Sequence, residues 1–189
     1  IKRLFDYLSL QLERHPDTHF LSAKESISEN KKEWKHYSYR DLQGNADKIS
    51  QLLLAAGIEK GDKIAIISEN RPEWNFVDMG SQQIGVINVP MYPTISEEDY
   101  EFIFRDAGIR FAFVGNDVIY QKVLPLMAKV DGLEGIVTFD RLKDGRWLWD
   151  ELRKINNPDT QKIASLRSTI DEQDTATIIY TSGTTGNPK

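Results

Sequence analysis

The chain has 189 residues, of which 40% are apolar and 28% are charged, and its formal net charge is −5. This composition predicts a globular domain with its own core, and the acidic balance argues against nucleic acid as a partner, because nucleic-acid-binding domains carry a basic surface. The absence of cysteine excludes disulfides, thiolate metal sites and a cysteine nucleophile from this stretch.

Four stretches of different character follow one another along the chain. They are 1–37, a peripheral helix and hairpin; 38–155, an α/β core subdomain; 156–175, a polar connection without helical periodicity; and 176–189, a strand followed by a phosphate-binding loop.

In the first stretch, Leu4, Leu8 and Leu12 recur on one helical face with charges opposite. This pattern favours a helix packed on its own domain, and a helix lying on a membrane surface is the alternative. Segments 18–24 and 33–37 flank the polar SISENKK and predict a hairpin. The charges spread through the amino end are unlike a signal peptide, so we expect a cytoplasmic protein, with peripheral contact to the inner membrane face left open.

The second stretch alternates short apolar runs with helical patterns. Ser38 with Asp41, and Ser96 with Asp99, have the spacing of helix N-caps. The predicted strands are 63–68, 86–89, 111–114 and 135–139, and the predicted helices begin at Ser38, Asn70, Ser96, Val118 and Trp147, the fourth of them running to 130. Strands that alternate with helices and are apolar on both faces predict an α/β fold: a layered, mainly parallel sheet with helices on both faces.

The chain closes with a strand-like run, 176–181, that leads directly into the last residues of YTSGTTGNPK. Ligands of open α/β sheets bind beyond the carboxyl ends of strands, where this loop would lie. Gly183 and Gly186 let backbone N–H groups approach phosphate oxygens, the hydroxyls add donors, and Lys189 adds a positive charge. The spacing is not that of a Walker A motif, and the alternative is a flexible surface loop.

The same segment resembles the phosphate-binding loop of the adenylate-forming superfamily, which includes acyl-CoA synthetases, firefly-type luciferases and peptide-synthetase adenylation domains. The resemblance covers most of the chain, and SENRPEW and VPMYPTIS are most similar to long-chain fatty acyl-CoA synthetases. It implies that the fold is part of the large amino-terminal domain of such an enzyme.

This resemblance also implies ATP, Mg²⁺ and coenzyme A as ligands, with a fatty acid activated first to acyl-adenylate and then to acyl-CoA. The residues that would hold the β- and γ-phosphates are Thr181, Ser182, Gly183, Thr184, Thr185, Gly186 and Lys189. Thr181 would also position Mg²⁺, and no catalytic residue is assigned within the chain. In the family the acyl, adenine and coenzyme A sites follow this loop, so we expect an amino-terminal fragment that is inactive alone; a homodimer is left open.

Several residues that resemble site residues have simpler interpretations. Trp74 lies on a helical stripe and is interpreted as core, Tyr92 as a turn residue, and His15, His19 and His36 as ordinary surface residues without metal-ligand spacing. Two other functions stay open: an adenylate-forming ligase for a different carboxylic or amino acid, and a non-catalytic nucleotide-binding module.

Overall fold

The computed structural model describes residues 1–28 and 31–181. Its α-helices are α1 (Leu4–Arg14), α2 (Tyr39–Ala55), α3 (Pro72–Gln82), α4 (Glu97–Ala107), α5 (Asp117–Val123), α6 (Leu148–Lys154) and α7 (Thr160–Ser168), with a 3₁₀ turn at Leu124–Ala128. Its strands are β1 (His19–Ser28), β2 (Lys31–Ser38), β3 (Lys63–Ile67), β4 (Ile87–Met91), β5 (Ile109–Val114) and β6 (Gly135–Thr138).

The strands form two sheets of different kinds. β1 and β2 pair as an antiparallel hairpin, as the sequence predicted. β3 to β6 form a parallel four-stranded sheet in the order β4-β3-β5-β6. All four strands of this sheet therefore end at one edge, which we call the carboxyl edge.

Apolar side chains fill both sides of the parallel sheet, which confirms the predicted layers. On one side, Ile64 and Ile66 of β3 pack with residues from α1, α2, α3, α6 and α7. On the other side, Ala65 and Ile67 pack with residues from α4, α5 and the 3₁₀ turn. Successive residues of β3 thus enter opposite cores, as the period of two in a strand requires.

Local signals set the start of α2 and both ends of α4 where the sequence predicted them. Ser38 caps α2 in a reciprocal arrangement with Asp41, and the Ser96 side chain accepts from the backbone of Asp99 at the start of α4. α4 ends at Gly108, whose φ of 67° is in the left-handed region that favours glycine. Gly80 permits close packing, because a Cβ there would lie 2.6 Å from the carbonyl oxygen of Ala46 in α2.

Three predicted elements differ from the structure. The stretch 156–175 contains α7, which Asp159 caps by accepting from the Lys162 backbone N–H at 2.9 Å. Because α7 is short and buries only one side chain fully, that of Ile163, it leaves little periodicity to detect. The helix predicted at 118–130 ends at Val123, since the chain tightens into the 3₁₀ turn that contains a proline.

The third difference concerns the strand predicted at 176–181. The structure shows a single parallel bridge there, between Thr177 and Asn88 of β4, instead of a full strand. The segment nevertheless runs beside β4 in the predicted direction.

The amino-terminal helix α1 lies on its own domain. Its Phe5 and Leu8 side chains are buried, which supports the packed helix over a helix on a membrane surface. None of the helices in the described part of the chain combines the length and the apolarity that crossing a bilayer requires.

Candidate functional site

A cleft of about 680 Å³ opens at the carboxyl edge, beyond the ends of β3 and β4. We call it the edge cleft. Its polar lining comes from Ser68, Asn70, Tyr92, Asp99, Tyr180 and Thr181, and its apolar lining includes Trp74, Met91, Ile95, Ile103 and Ile179. This is the position at which open α/β sheets bind their ligands.

Residues after β4 form one wall of the edge cleft. Tyr92 directly follows β4, and its carbonyl oxygen accepts a hydrogen bond from the Tyr100 hydroxyl of α4 at 2.9 Å. Tyr100 itself is fully buried, and burial, followed by the negative charge of Glu69, raises its pKa to about 12. The phenol therefore stays protonated near neutral pH and continues to donate to this carbonyl. The Asp99 carboxylate already accepts from the Ser96 hydroxyl at 2.9 Å, so it belongs to the cap of α4.

The segment that leads to the predicted phosphate loop forms another part of the cleft lining. The Asn88 N–H donates to the carbonyl oxygen of Ala176 at 3.2 Å, and the Ile178 N–H donates to the carbonyl oxygen of Asn88 at 2.9 Å. The Thr177 hydroxyl donates to the same Asn88 oxygen at 2.9 Å. These bonds direct the chain along β4 and bring Thr181 to the cleft.

The Asn88 side chain is buried beneath this segment and is held by α3. Its Oδ1 accepts from the Ser81 hydroxyl at 2.7 Å, and its Nδ2 donates to Asp78 Oδ1 at 2.5 Å. Burial raises the pKa of the Asp78 carboxyl, although the bonds from Gln82 and Asn88 oppose that shift. This network satisfies the polar groups that α3 and β4 bury between them.

The other half of the carboxyl edge, beyond β5 and β6, is closed by a group of residues that we call the arginine cluster: Arg71, Glu73, Phe139 and Asp140. Arg71 forms ion pairs of 2.9 Å with Glu73 and with Asp140. Its Cζ atom lies 5.3 Å from the centre of the Phe139 ring. Burial opposes the charge of Arg71, yet the two carboxylates outweigh it and raise the pKa of the guanidinium. The charged side chains of the arginine cluster are therefore paired with one another.

Of the predicted phosphate-binding residues, Thr181 lies in the described part of the chain, at the edge cleft. Ser182, Gly183, Thr184, Thr185, Gly186 and Lys189 lie outside the described residues.

Two cleft residues were missed by sequence analysis. Trp74, interpreted as core, is only partly buried, and both it and Tyr92 line the cleft. Tyr92 was missed although its position supplied a signal, since it directly follows a strand of a parallel sheet.

His15, His19 and His36 are exposed, as predicted for surface residues. The rings of His19 and His36 stack at 5.0 Å on the hairpin, and His36 Nδ1 lies 2.8 Å from the Ser22 hydroxyl oxygen. Within residues 1–28 and 31–181, no three His, Asp or Glu side chains are grouped in a way that could hold a metal ion.

A second, smaller depression of about 130 Å³ lies at the opposite edge of the sheet, next to Arg3, Gly85 and Asp171. It is well below the several hundred cubic ångströms typical of pockets for small-molecule ligands. The edge cleft is therefore the stronger candidate site.

Curated relatives of the chain are acyl-CoA synthetases. Fatty acyl-CoA synthetase A of Dictyostelium discoideum is 29% identical over 194 residues, covering 95% of this chain and 28% of that protein. Long chain acyl-CoA synthetase 3 of Arabidopsis thaliana is 26% identical, covering 98% of this chain and 29% of that protein. The chain thus spans between a quarter and a third of the length of these relatives.

Solved structures share the fold over nearly the whole chain. An anthranilate CoA ligase, AuaEII, in complex with anthranoyl-AMP superposes with a TM-score of 0.76 at 19% identity, covering 98% of this chain and 33% of that one. A Mycobacterium tuberculosis fatty acyl CoA synthetase gives 0.73 at 20% identity, covering 99% of this chain and 33% of that one. The fold is therefore the one found in the amino-terminal part of adenylate-forming enzymes.

The family model described as AMP-binding enzyme matches residues 8–189, which include the whole edge cleft and the glycine-rich segment that follows it. This chain belongs to the family of AMP-binding enzymes.

Proposed function

We propose that the protein to which this chain belongs is an AMP-forming long-chain fatty acid–CoA ligase. One observation carries the proposal: Thr181, the second residue of YTSGTTGNPK, lies at the edge cleft, directly after the segment bonded to β4. The relatives that carry names of long-chain acyl-CoA synthetases support the choice of substrate. The acid, ATP and coenzyme A would be the small-molecule partners.

The reaction has two steps. A carboxylate oxygen of the fatty acid attacks the α-phosphorus of ATP, and the bond to pyrophosphate breaks, which gives acyl-adenylate. The thiol of coenzyme A then attacks the acyl carbon, AMP leaves, and the thiol proton is released as the thioester forms.

The loop from Thr181 to Lys189 would act on the leaving pyrophosphate. Backbone N–H groups at Gly183 and Gly186 and the hydroxyls between them are suited to phosphate oxygens, and Lys189 would add a charge-assisted bond. Negative charge on the leaving group increases in the transition state, so donors fixed around it accelerate the reaction electrostatically. This function requires no nucleophile and no general base from the loop.

Thr181 suits a role beside Mg²⁺. Magnesium prefers oxygen ligands, keeps several waters, and commonly takes one or two protein oxygens together with phosphate oxygens. The Thr181 hydroxyl is such an oxygen at the edge of the cleft, so this residue would help to orient the metal. Bound Mg²⁺ would supply neutralisation of the phosphate charge.

The remaining predictions form part of the same proposal. A cytoplasmic location, peripheral membrane contact and a homodimer stay predictions. Residues 1–189 alone are expected to be inactive, because in the resembling family the acyl and adenine sites follow the phosphate loop.

The test is exchange of labelled pyrophosphate into ATP by the protein made from its complete reading frame. The assay uses acids from acetate to long-chain fatty acids, together with aromatic and amino acids. We expect exchange driven by the long-chain acids. Exchange with a different acid would replace the substrate, and a folded, ATP-binding protein without exchange would favour a non-catalytic nucleotide-binding module.

Variants of the loop separate a catalytic role from a structural one. We expect Lys189→Ala and Gly186→Val each to lower the exchange rate about 10²- to 10³-fold, because each disturbs donors to the leaving group. If the loop serves catalysis and not stability, the thermal midpoint should move by no more than about 2 °C. Lys162→Ala, which removes an exposed lysine of α7, is the matched control and should leave both values unchanged. Parallel losses of rate and stability would indicate a structural loop.

A further inference from the structure

The chain that approaches the phosphate loop is anchored first through its backbone. The hydrogen bonds between Asn88 and the residues 176–178 tie this segment to β4. Tyr180 lies two residues further on, and Thr181, the first predicted phosphate ligand, follows it at once. Whatever fixes Tyr180 therefore also fixes the point at which the loop begins.

Tyr180 is fixed through its side chain. Its ring is partly buried against the apolar cluster that includes Ile103 and Phe104 of α4. Its hydroxyl donates a hydrogen bond to Oδ2 of Asp106, also in α4, at 2.5 Å. The short distance fits a phenol donating to a carboxylate, which is stronger than a bond between neutral groups.

The position of Asp106 is unfavourable for α4 itself. Asp106 lies in the last turn of the helix, one residue before Ala107, where the helix dipole disfavours a negative charge. Within residues 1–28 and 31–181 this carboxylate forms no ion pair, in contrast to Glu101 of the same helix, which pairs with Arg105 and with Lys129. Neither helix stability nor a cation explains an acid here, whereas the Tyr180 hydroxyl does.

We propose that Asp106 is a positioning residue for phosphate binding: it holds the Tyr180 hydroxyl and thereby fixes where Thr181 meets the edge cleft. The inference rests on the function proposed above. α4 is a suitable anchor because its Tyr100 and Phe104 side chains are fully buried. Precise placement matters, because a displacement of about 1 Å can cost an enzyme about 10²-fold in rate.

The protonation state of Tyr180 agrees with this role. Burial, followed by the hydrogen bond to Asp106, raises the pKa of Tyr180 to about 12. The phenol therefore keeps its proton near neutral pH and continues to donate to Asp106.

The experiment uses the complete protein and four variants: Asp106→Ala, Tyr180→Phe, the double variant, and Asp106→Asn. Tyr180→Phe keeps the packed ring and removes only the hydroxyl. We expect Asp106→Ala and Tyr180→Phe each to raise the KM for ATP in pyrophosphate exchange by about 3- to 10-fold, because a displaced loop binds the phosphates of ATP less well, and to lower the maximal exchange rate as well. The double variant should be no worse than the more impaired single variant, because both changes remove the same bond. Asp106→Asn keeps an acceptor oxygen and should restore most of the wild-type KM.

A second readout needs neither ATP nor activity. Hydrogen exchange measured by mass spectrometry should be faster in peptides covering 176–189 of Asp106→Ala and Tyr180→Phe, and unchanged elsewhere. Tyr120→Phe is the matched control, because its hydroxyl donates to the carbonyl oxygen of Asp144, a residue absent from the cleft lining. It should alter neither the KM nor exchange at 176–189.

Unchanged hydrogen exchange at 176–189 in both single variants would overturn the positioning role, and so would additive effects on KM. An inactive wild-type protein would refute the proposed ligase function instead. In that case faster exchange confined to 176–189 would still support the anchor, and its absence would still refute it.

Discussion

The two halves of the carboxyl edge use polar residues in opposite ways. Beyond β5 and β6, the arginine cluster closes the edge: Arg71 pairs with Glu73 and Asp140, and Phe139 lies beneath it. Beyond β3 and β4, hydroxyl-bearing and aromatic side chains line an open cleft, and Tyr92 is 76% exposed. More of the charged side chains thus lie in the half without a cleft.

This difference illustrates how the charges of a cluster at the carboxyl edge can be satisfied by the protein itself. Glu73 is buried and also accepts from the Trp149 indole N–H at 3.3 Å, so its charge is compensated within the protein. The arginine cluster therefore holds the ends of the strands together, and the less charged half leaves room for a ligand. Substitutions in the two halves should affect stability and function differently.

The largest expected loss of stability follows from truncating Phe139. Its side chain is 1% exposed, and its ring stacks on that of Phe113 with 6.3 Å between the ring centres. Phe139→Ala therefore leaves a cavity beneath the arginine cluster. We expect the free energy of unfolding to fall by about 3–5 kcal/mol. The measurement is urea unfolding of the complete protein.

The control for this variant is an aromatic truncation in the open half. Tyr92→Ala removes a side chain that is mostly exposed, so the free energy of unfolding should change by no more than about 0.5 kcal/mol. Equal losses in the two variants would contradict the contrast between a closed and an open half.

A smaller loss is expected from Arg71→Met, which keeps much of the apolar stem and removes the guanidinium. Among residues 1–28 and 31–181, the Trp149 indole is then the one side-chain donor left to the buried Glu73. Removing one partner of a fully buried ion pair costs about 3–5 kcal/mol, because the other charge is left buried without its partner. The Arg71 side chain is 25% exposed, so this pair is only partly buried, and we expect the free energy of unfolding to fall by about 2 kcal/mol.

Arg105→Met is the matched control for Arg71→Met. Arg105 forms an exposed pair with Glu101 one turn away in α4, and such pairs contribute roughly 0.3–0.5 kcal/mol. Urea unfolding of both variants tests the difference. A loss at Arg71 no larger than that at Arg105 would show that the arginine cluster does not hold this edge.

Much of the fold could be predicted because its signals are local. Ser38 with Asp41, and Gly108 at the end of α4, specify helix ends through neighbours within four residues. The apolar runs of β3 and β5 indicate strands buried on both faces for the same local reason. The phosphate motif, too, is a contiguous stretch of sequence.

The position of the loop beyond the strand ends could be predicted, but the walls of the cleft could not, because they depend on contacts distant in sequence. Thr177 and Asn88 are 89 positions apart, and Tyr180 lies 74 positions from Asp106, yet these pairs determine where the loop begins. Asp106 is distinguished locally by its place in the last turn of α4, but no local pattern connects it with Tyr180. Such pairings become visible only when the strands and helices are placed together.

The smallest expected effect tests the support of the open half. Tyr100→Phe removes the hydroxyl that donates to the Tyr92 carbonyl oxygen, and we expect the free energy of unfolding to fall by about 1 kcal/mol at pH 7. Folding raises the pKa of Tyr100 to about 12, from roughly 10 in an unfolded chain. The stabilisation from the neutral phenol is therefore complete below pH 10 and is lost as the pH rises toward 12.

Phenylalanine cannot ionise, so the advantage of the wild-type protein over Tyr100→Phe should shrink as the pH rises from 9 through 10 and beyond. Tyr37 and Tyr180, whose pKa values are also raised, are present in both proteins and cancel in the comparison. Thermal unfolding of the two proteins across this range is the measurement. A difference that stays constant would mean that the Tyr100 phenol is not held neutral by its burial. The Tyr92 carbonyl would then need another source of support at the wall of the cleft.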